Sequence, residues 1–299
     1  MSGLDRRRFL LGAGAVLLAA CSDGGDDEPA AGTTSTTPSP TTGAEGPEAI
    51  VLGTAFNRNT FLQAGIAQRA TFVLFESSGG FVRVADAPAE LTFEARSATD
   101  GSQAETTVAR HGDDLDRPYY PASLTLPTAG VWEIATTLPD GTTLAREVQV
   151  NATVPFPQLG DALPAVATPT TAADLGVGTI CTRSPACPFH EVSLADALAA
   201  GRPTAVLVST PAYCQVAICG PVLDLLIATD PGELAVVHIE AFPNGSGTDP
   251  GAASPILTDD FRLDFEPVLY AAGADGIITA RLDSIYDATE LAAALSSTG

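Results

Sequence analysis

The sequence contains no lysine, one methionine, one tryptophan and only three histidines in 299 residues. All 14 positive side chains are therefore arginine, and 36 acidic residues outnumber them to give a net charge of −22. A surface this acidic repels phosphate backbones and anionic lipid headgroups, which argues against nucleic-acid binding. We attribute the acidity to solubility outside the cell.

The first twenty residues resemble an export signal rather than part of a fold. Asp5–Leu11 carries a twin-arginine pattern, a short apolar region covers Leu10–Ala20, and Leu18–Cys21 resembles a lipoprotein cleavage box. The apolar region is too short to span a bilayer, so an uncleaved anchor is the weaker alternative. We predict cleavage before Cys21, lipidation of Cys21, and attachment to the extracytoplasmic side of the cell membrane.

The composition divides the rest of the chain into four segments. Residues 21–48 are rich in Thr, Pro, Gly and Ser with almost no large apolar side chain, which predicts a disordered tether. Residues 154–176 carry several prolines among small residues and are expected to be a semi-rigid linker. The linker separates two predicted domains, residues 49–153 and residues 177–299.

The first predicted domain shows short alternating stretches bounded by turn residues, a pattern typical of strands. Asp140-Gly141 is a hairpin turn signal between two of these stretches. About seven strands at this spacing predict an immunoglobulin-like β-sandwich, with Trp132 as a core aromatic. The stretches that predict strands are residues 71–75, 81–84, 90–95, 123–126, 131–135 and 144–150.

The second predicted domain alternates helix and strand patterns, which predicts a central sheet with helices on both faces. The expected elements are a helix between Ser193 and Gly201, strands at 204–210, 234–242, 267–271 and 277–282, and helices from about Pro221 and over 288–296.

Four cysteines lie in the second domain, and in an exported protein such an even set is expected to pair. Cys214 lies where a buried strand gives way to a helix, so the positive end of the helix dipole favours its thiolate. Cys219 follows five residues later, and on one continuous helix the two Cα atoms would be nearly 9 Å apart, too far for a disulfide. A pair therefore predicts that the helix begins near Gly220.

Residues 179–295 resemble the thioredoxin-like fold, and more narrowly the exported thioredoxin-domain proteins of actinobacteria. The resemblance is carried by the segment Thr210–Pro221, with its Cys-Gly-Pro sequence, and by Glu266-Pro267 before a strand. It implies an α/β thioredoxin-like domain and a cis Pro267 packed against the active cysteines. Tyr213 before the first cysteine and four residues between the two thiols depart from the family pattern.

The resemblance implies a thiol-disulfide oxidoreductase acting on exported proteins. Cys214 would be the nucleophile, Cys219 the resolving thiol and Pro267 the third site residue, although the reverse order of the two thiols stays open. No cofactor and no metal are expected. Three alternatives remain: a non-catalytic scaffold lipoprotein with structural disulfides, a copper-delivering chaperone using Cys214, Cys219 and a nearby histidine, and a thiol peroxidase.

Cys181 and Cys187 precede the first helix and are predicted to form a local structural disulfide. Two alternatives for this pair are a redox relay with the other two cysteines and a metal site with His190. His238 falls inside an apolar strand and is predicted to be a core or sheet-edge residue.

Overall fold

The computed structural model of the protein describes residues 49–113, 115, 117–214 and 218–299. The predicted export signal, the tether and the lipidation site Cys21 lie outside the described residues. The described residues belong to one compact unit. Among the described residues, none of the helices is both long and apolar enough to cross a membrane.

The first part of the described chain is all β. Its strands form a three-stranded sheet in the order β1-β3-β6 and a five-stranded sheet in the order β2-β8-β7-β4-β5, with every pairing antiparallel except β2 with β8. The strands are β1 (Ile50–Thr54), β2 (Leu62–Gln63), β3 (Ala67–Glu76), β4 (Glu90–Ser97), β5 (Gln103–Ala109), β6 (Tyr119–Thr125), β7 (Gly130–Thr137) and β8 (Thr143–Asn151).

Alternation of apolar and polar side chains explains why these strands form two packed sheets. In β4 every second residue is buried, which presents Phe93 and its neighbours to the core while polar residues face outward. Trp132 is fully buried on β7, and its indole N–H donates to the Thr128 carbonyl at 2.9 Å. Trp132 is therefore the core aromatic that the sequence predicts, and two packed sheets of mostly antiparallel strands are consistent with an immunoglobulin-like β part.

The last part of the chain contains a four-stranded mixed sheet in the order β10-β9-β11-β12. β9 and β10 are parallel, whereas β11 is antiparallel to both β9 and β12. All six residues of β9 are buried, as expected for a strand with both faces covered. The elements are α1 (Leu194–Ala199), β9 (Thr204–Ser209), α2 (Cys219–Ala228), β10 (Ala235–Glu240), β11 (Val268–Ala272), β12 (Ile278–Asp283) and α3 (Ala288–Ser296).

The predicted α/β thioredoxin-like domain is wrong. The described residues are mostly β, with three sheets and only 13% helix, and no clear thioredoxin-like domain is evident among them. The three α-helices found in residues 49–299, outside the few undescribed positions, have six, ten and nine residues. Between β10 and β11 the chain forms loops and a π-helical turn over Ile256–Asp260. Residues 243–251 are rich in Gly, Pro and Asp, which disfavour a helix there.

Candidate functional site

A disulfide links Cys214 to Cys219 at the point where the chain leaves β9 and enters α2. The two Cα atoms are 5.9 Å apart, which is within the usual range for a disulfide. Cys214 lies outside the helix and Cys219 is its first residue, so the helix begins one residue before Gly220. The pairing and the helix start both agree with the sequence prediction.

The two sulfur-bearing residues differ in exposure. Cys219 is fully buried, whereas Cys214 is only partly buried. The backbone N–H of Cys219 donates to the Cys214 sulfur at 3.2 Å, so the positive end of α2 points at that sulfur. Such an N–H stabilises a thiolate on Cys214 better than a neutral thiol.

Glu266 places a carboxyl group against the buried half of the disulfide. Its Oε2 lies 2.7 Å from the Cys219 sulfur and accepts the backbone N–H of Thr210 at 3.2 Å. Burial raises the pKa of Glu266 to about 7, and the nearby Glu240 adds to the rise. Because a disulfide sulfur has no proton, the short contact to Cys219 is explained when Glu266 is protonated and donates.

Pro267 follows Glu266 and enters β11, and the Glu266–Pro267 peptide bond is cis, as the resemblance implies. Pairing of Val268 with Val208 aligns the start of β11 with the end of β9. This register carries Glu266 to the disulfide. The structure therefore brings Cys214, Cys219 and Glu266 together, with Pro267 next to Glu266 in the chain.

Cys181 and Cys187 do not form the predicted structural disulfide in this structure. Both are free, buried thiols, and the backbone N–H of Cys187 donates to the Cys181 sulfur at 3.4 Å. The pKa of Cys181 is lowered mainly because the Cys187 thiol donates to it, and the same interaction raises the pKa of Cys187.

Two histidines join this second pair of cysteines. The ligand atoms of Cys181, Cys187, His190 and His238 all lie within 4.8 Å of one another, and all four residues are buried. The copper-carrier alternative needs a histidine beside Cys214 and Cys219. Among the described residues both buried histidines lie with the other thiols instead, and Glu266 is the third member of the Cys214–Cys219 group.

An apolar groove lies beside the Cys214–Cys219 disulfide. Its lining includes Ile218, which precedes Cys219 in the chain, Glu266, and several side chains of the β-rich first part. Phe75 and Phe81 are among them, and their rings contact each other with centroids 4.7 Å apart. Phe81 is 37% exposed, so the groove offers a large apolar ring to the solvent.

Sequence reasoning missed two residues of these clusters. The sequence identifies Glu266 only as the residue before Pro267. No pattern in the neighbouring residues predicts that its carboxyl group contacts Cys219. The sequence predicts a core or sheet-edge position for His238, and its burial confirms that position. The sequence does not predict the contacts of His238 with Cys187 and His190. The spacing of Cys181, Cys187 and His190 was the one available signal for a further ligand.

No protein-family model matches this chain, and no curated protein shows significant similarity to it. A function therefore has to be inferred from the chemistry of the residues that the structure brings together.

Proposed function

We propose that the protein is a thiol-disulfide oxidoreductase that exchanges disulfides with other proteins through Cys214 and Cys219. The observation that carries this proposal is the asymmetry of the pair: one partly exposed sulfur, one buried sulfur, and a protonatable carboxyl group 2.7 Å from the buried one. A disulfide that only stabilises the fold needs no such carboxyl group.

Accessibility determines which sulfur a substrate meets. A substrate thiolate can approach Cys214, whereas Cys219 is covered completely. Attack on Cys214 forms a mixed disulfide between substrate and Cys214, and it breaks the bond to Cys219. Cys219 leaves as a thiolate at the N-terminus of α2, where the helix dipole stabilises the negative charge.

Glu266 supplies the proton that this step requires. As the Cys219 thiolate forms, the neutral Glu266 carboxyl group transfers its proton to that sulfur. A second substrate thiolate then attacks the substrate sulfur of the mixed disulfide, which releases an oxidised substrate and leaves Cys214 reduced. In the reverse direction Cys214 attacks a substrate disulfide, and the Glu266 carboxylate removes the proton of Cys219 before Cys219 displaces the substrate.

The apolar groove gives a substrate polypeptide a place to bind. Its lining includes Phe75, Phe81 and Glu266, and Glu266 contacts Cys219, so a bound segment would lie near the disulfide. Burial of even one aromatic or aliphatic substrate side chain there would contribute about 1.5–3 kcal/mol. This assigns the β-rich first part a role in substrate binding, and the substrates of a lipid-anchored exported protein would be other exported proteins.

Trapping of mixed disulfides tests the proposal. Cys219→Ser leaves Cys214 able to attack but removes the resolving thiol, so we expect it to accumulate a covalent complex with a disulfide-containing peptide. Both variants also carry Cys21→Ser, so Cys214→Ser, the matched control, keeps only the buried thiols Cys181, Cys187 and Cys219 and should form little or no complex.

Two results would contradict this function. The wild-type protein could fail to exchange disulfides with any dithiol or disulfide peptide, or the two single variants could be equally inert. Either result would favour the scaffold alternative, in which the Cys214–Cys219 bond is purely structural.

A further inference from the structure

The second group of thiols and imidazoles has no part in the exchange reaction described above. Cys181 and Cys187 are 8% and 5% exposed, and His190 and His238 are 2% and 1% exposed. Cys181, Cys187 and His190 lie in the segment that leads into α1, and His238 lies in the middle of β10. Four residues with strong metal-ligand side chains therefore meet in the interior.

The distances within this group match those between the ligands of a tetrahedral metal ion. The Cys187 sulfur lies 3.2 Å from His190 Nε2 and 3.4 Å from His238 Nδ1, and the two nitrogens are 3.3 Å apart. Around a tetrahedral Zn²⁺ with ordinary Zn–S and Zn–N bonds, neighbouring ligand atoms lie about 3.3 to 3.8 Å apart. The centre of the observed triangle is about 1.9 Å from each corner, so an ion just above its plane makes bonds of normal length.

Each corner of this triangle can offer a lone pair to a metal ion. The Cys187 sulfur, His190 Nε2 and His238 Nδ1 each have a lone pair, and each can carry one proton at most. Ser209 Oγ lies 3.0 Å from His238 Nε2, so the second nitrogen of that ring already has its own partner. With a proton on Nε2, His238 Nδ1 has a lone pair that faces the Cys187 sulfur and His190 Nε2, as in a histidine that binds a metal through Nδ1.

We propose that Cys181, Cys187, His190 and His238 bind one Zn²⁺ ion. Two thiolates and two neutral imidazoles make the site neutral with a divalent cation, whereas a monovalent ion such as Cu⁺ would leave a buried negative charge. Sulfur and imidazole ligands also select against Ca²⁺ and Mg²⁺, which prefer oxygen. Four protein ligands complete the coordination of zinc, as in structural rather than catalytic sites.

The ion would hold the segment before α1 onto β10. Backbone hydrogen bonds already connect them, since the N–H of His238 donates to the Phe189 carbonyl at 3.0 Å. The same segment reaches the disulfide region, because the N–H of Ala212 donates to Thr182 Oγ1 at 3.1 Å. A zinc site here would therefore support the chain just before Cys214 without contributing to its chemistry.

Cobalt substitution tests the site directly in the wild-type full chain, purified without a histidine tag. We expect one Co²⁺ per chain, with the intense ligand-field bands of tetrahedral coordination and thiolate-to-cobalt charge transfer, and we expect Zn²⁺ to displace it. A chain that binds Co²⁺ only with six-coordinate spectra, or whose Cys181 and Cys187 are mapped to a disulfide after anaerobic purification, would overturn the proposal.

Variants then identify the ligands. His190→Asn, His238→Asn and Cys181→Ser/Cys187→Ser should each lose stoichiometric binding, whereas His111→Asn, at the third histidine, should bind like the wild type. Ser209→Ala should weaken zinc binding by about 10-fold, because it removes the partner of His238 Nε2. Unchanged binding in the double cysteine variant would refute the assignment.

One further variant separates this inference from the exchange reaction. Cys21→Ser/Cys214→Ser/Cys219→Ser retains only Cys181 and Cys187, so it should bind one Zn²⁺ while forming no mixed disulfide with peptides. Failure of this variant to bind zinc, with its circular dichroism spectrum unchanged, would remove the zinc site and leave the proposed function intact.

Discussion

Glu266 is the residue whose protonation state should determine how fast the disulfide opens. Burial raises the pKa of Glu266 to about 7, so the carboxyl group is protonated in mildly acidic solution and ionised in mildly alkaline solution. Only the protonated form can give a proton to the departing Cys219 sulfur, and the ionised form repels the thiolate that develops there.

We therefore expect the rate constant for opening of the Cys214–Cys219 disulfide, expressed per attacking thiolate, to fall as pH rises through about 7. The fall should be about 10-fold between about pH 6 and about pH 8, and Glu266→Gln should abolish it, because its amide does not ionise. The measurement is quenched-flow alkylation after mixing the oxidised protein with a small thiol of known pKa.

Asp264→Asn is the control for this measurement. Asp264 is an exposed acidic residue two positions before Glu266, and its side chain accepts from Thr60 rather than contacting a cysteine. Its variant should keep the wild-type pH profile. An identical pH dependence in Glu266→Gln and the wild type would show that another group controls the step.

The sequence predicted the residues that are close along the chain better than those that are far apart. Cys214 and Cys219 could be paired because a strand, a five-residue spacing and a helix start lie in one short segment. Glu266 is 47 residues from Cys219, and His238 is 48 residues from His190. The pairing of β9 with β10 and β11 creates those contacts, and no local pattern specifies that pairing.

Among the secondary-structure elements, strands with clear alternation were predicted and strands without it were not. β4 and β7 alternate apolar and polar residues, and both were expected. In β5 every second residue is partly buried, but Val108 is its only large apolar residue. The sequence of β5 therefore lacks the apolar–polar alternation that predicts a strand. The predicted strand over residues 81–84 is reduced to a single bridge between Phe81 and Phe75, because the chain turns away at residues 84–86.

The buried face of β7 permits a prediction about a single side chain. Trp132→Phe removes the indole N–H that donates to Thr128 and leaves a cavity in a fully packed core. We expect the free energy of unfolding to fall by about 2 kcal/mol. Urea denaturation followed by circular dichroism measures the change.

Val131→Thr provides the comparison on the opposite face of the same strand. Val131 is 40% exposed, and threonine keeps the β-branched shape, so its free energy of unfolding should stay within about 0.5 kcal/mol of the wild-type value. Equal losses in the two variants would mean that strand propensity, rather than core packing, determines the effect at Trp132.

For the whole molecule, the order of the elements was a poor guide to the domain. The sequence pattern correctly predicted strands near β9–β12 and a helix at α3. The order of helices and strands along the chain does not, however, specify how much of the sheet the helices cover. The aromatic core also includes a residue of the predicted linker: Phe61 of the β-rich part contacts Phe156 and Phe265, with ring centroids 5.9 Å and 5.4 Å apart. Such contacts between distant segments are not encoded in local periodicity.

A nearly buried ion pair connects the β-rich part to the last part of the chain. Arg69 on β3 donates from Nε and Nη2 to the two carboxylate oxygens of Glu290 on α3, at 2.7 Å and 2.8 Å. Its guanidinium also donates to the Asp283 carbonyl at 2.9 Å, and the Tyr119 hydroxyl donates to Glu290 at 2.7 Å. Arg69 and Glu290 are only 12% and 13% exposed, so loss of either partner leaves the other charge poorly solvated.

We expect Arg69→Leu to lower the free energy of unfolding by about 3 kcal/mol, because Glu290 is left buried and unpaired. Arg83→Leu is the matched control: its ion pair with Asp86 is 78% and 52% exposed, so its loss should cost less than about 1 kcal/mol. Adding Glu290→Gln to Arg69→Leu should recover part of the loss, since the unpaired charge is removed. Denaturant unfolding, followed by Trp132 fluorescence and by circular dichroism, measures the wild type, the two single variants and the double variant. If Arg69→Leu were no less stable than Arg83→Leu, the ion pair would not stabilise the contact between the β-rich part and the last part of the chain.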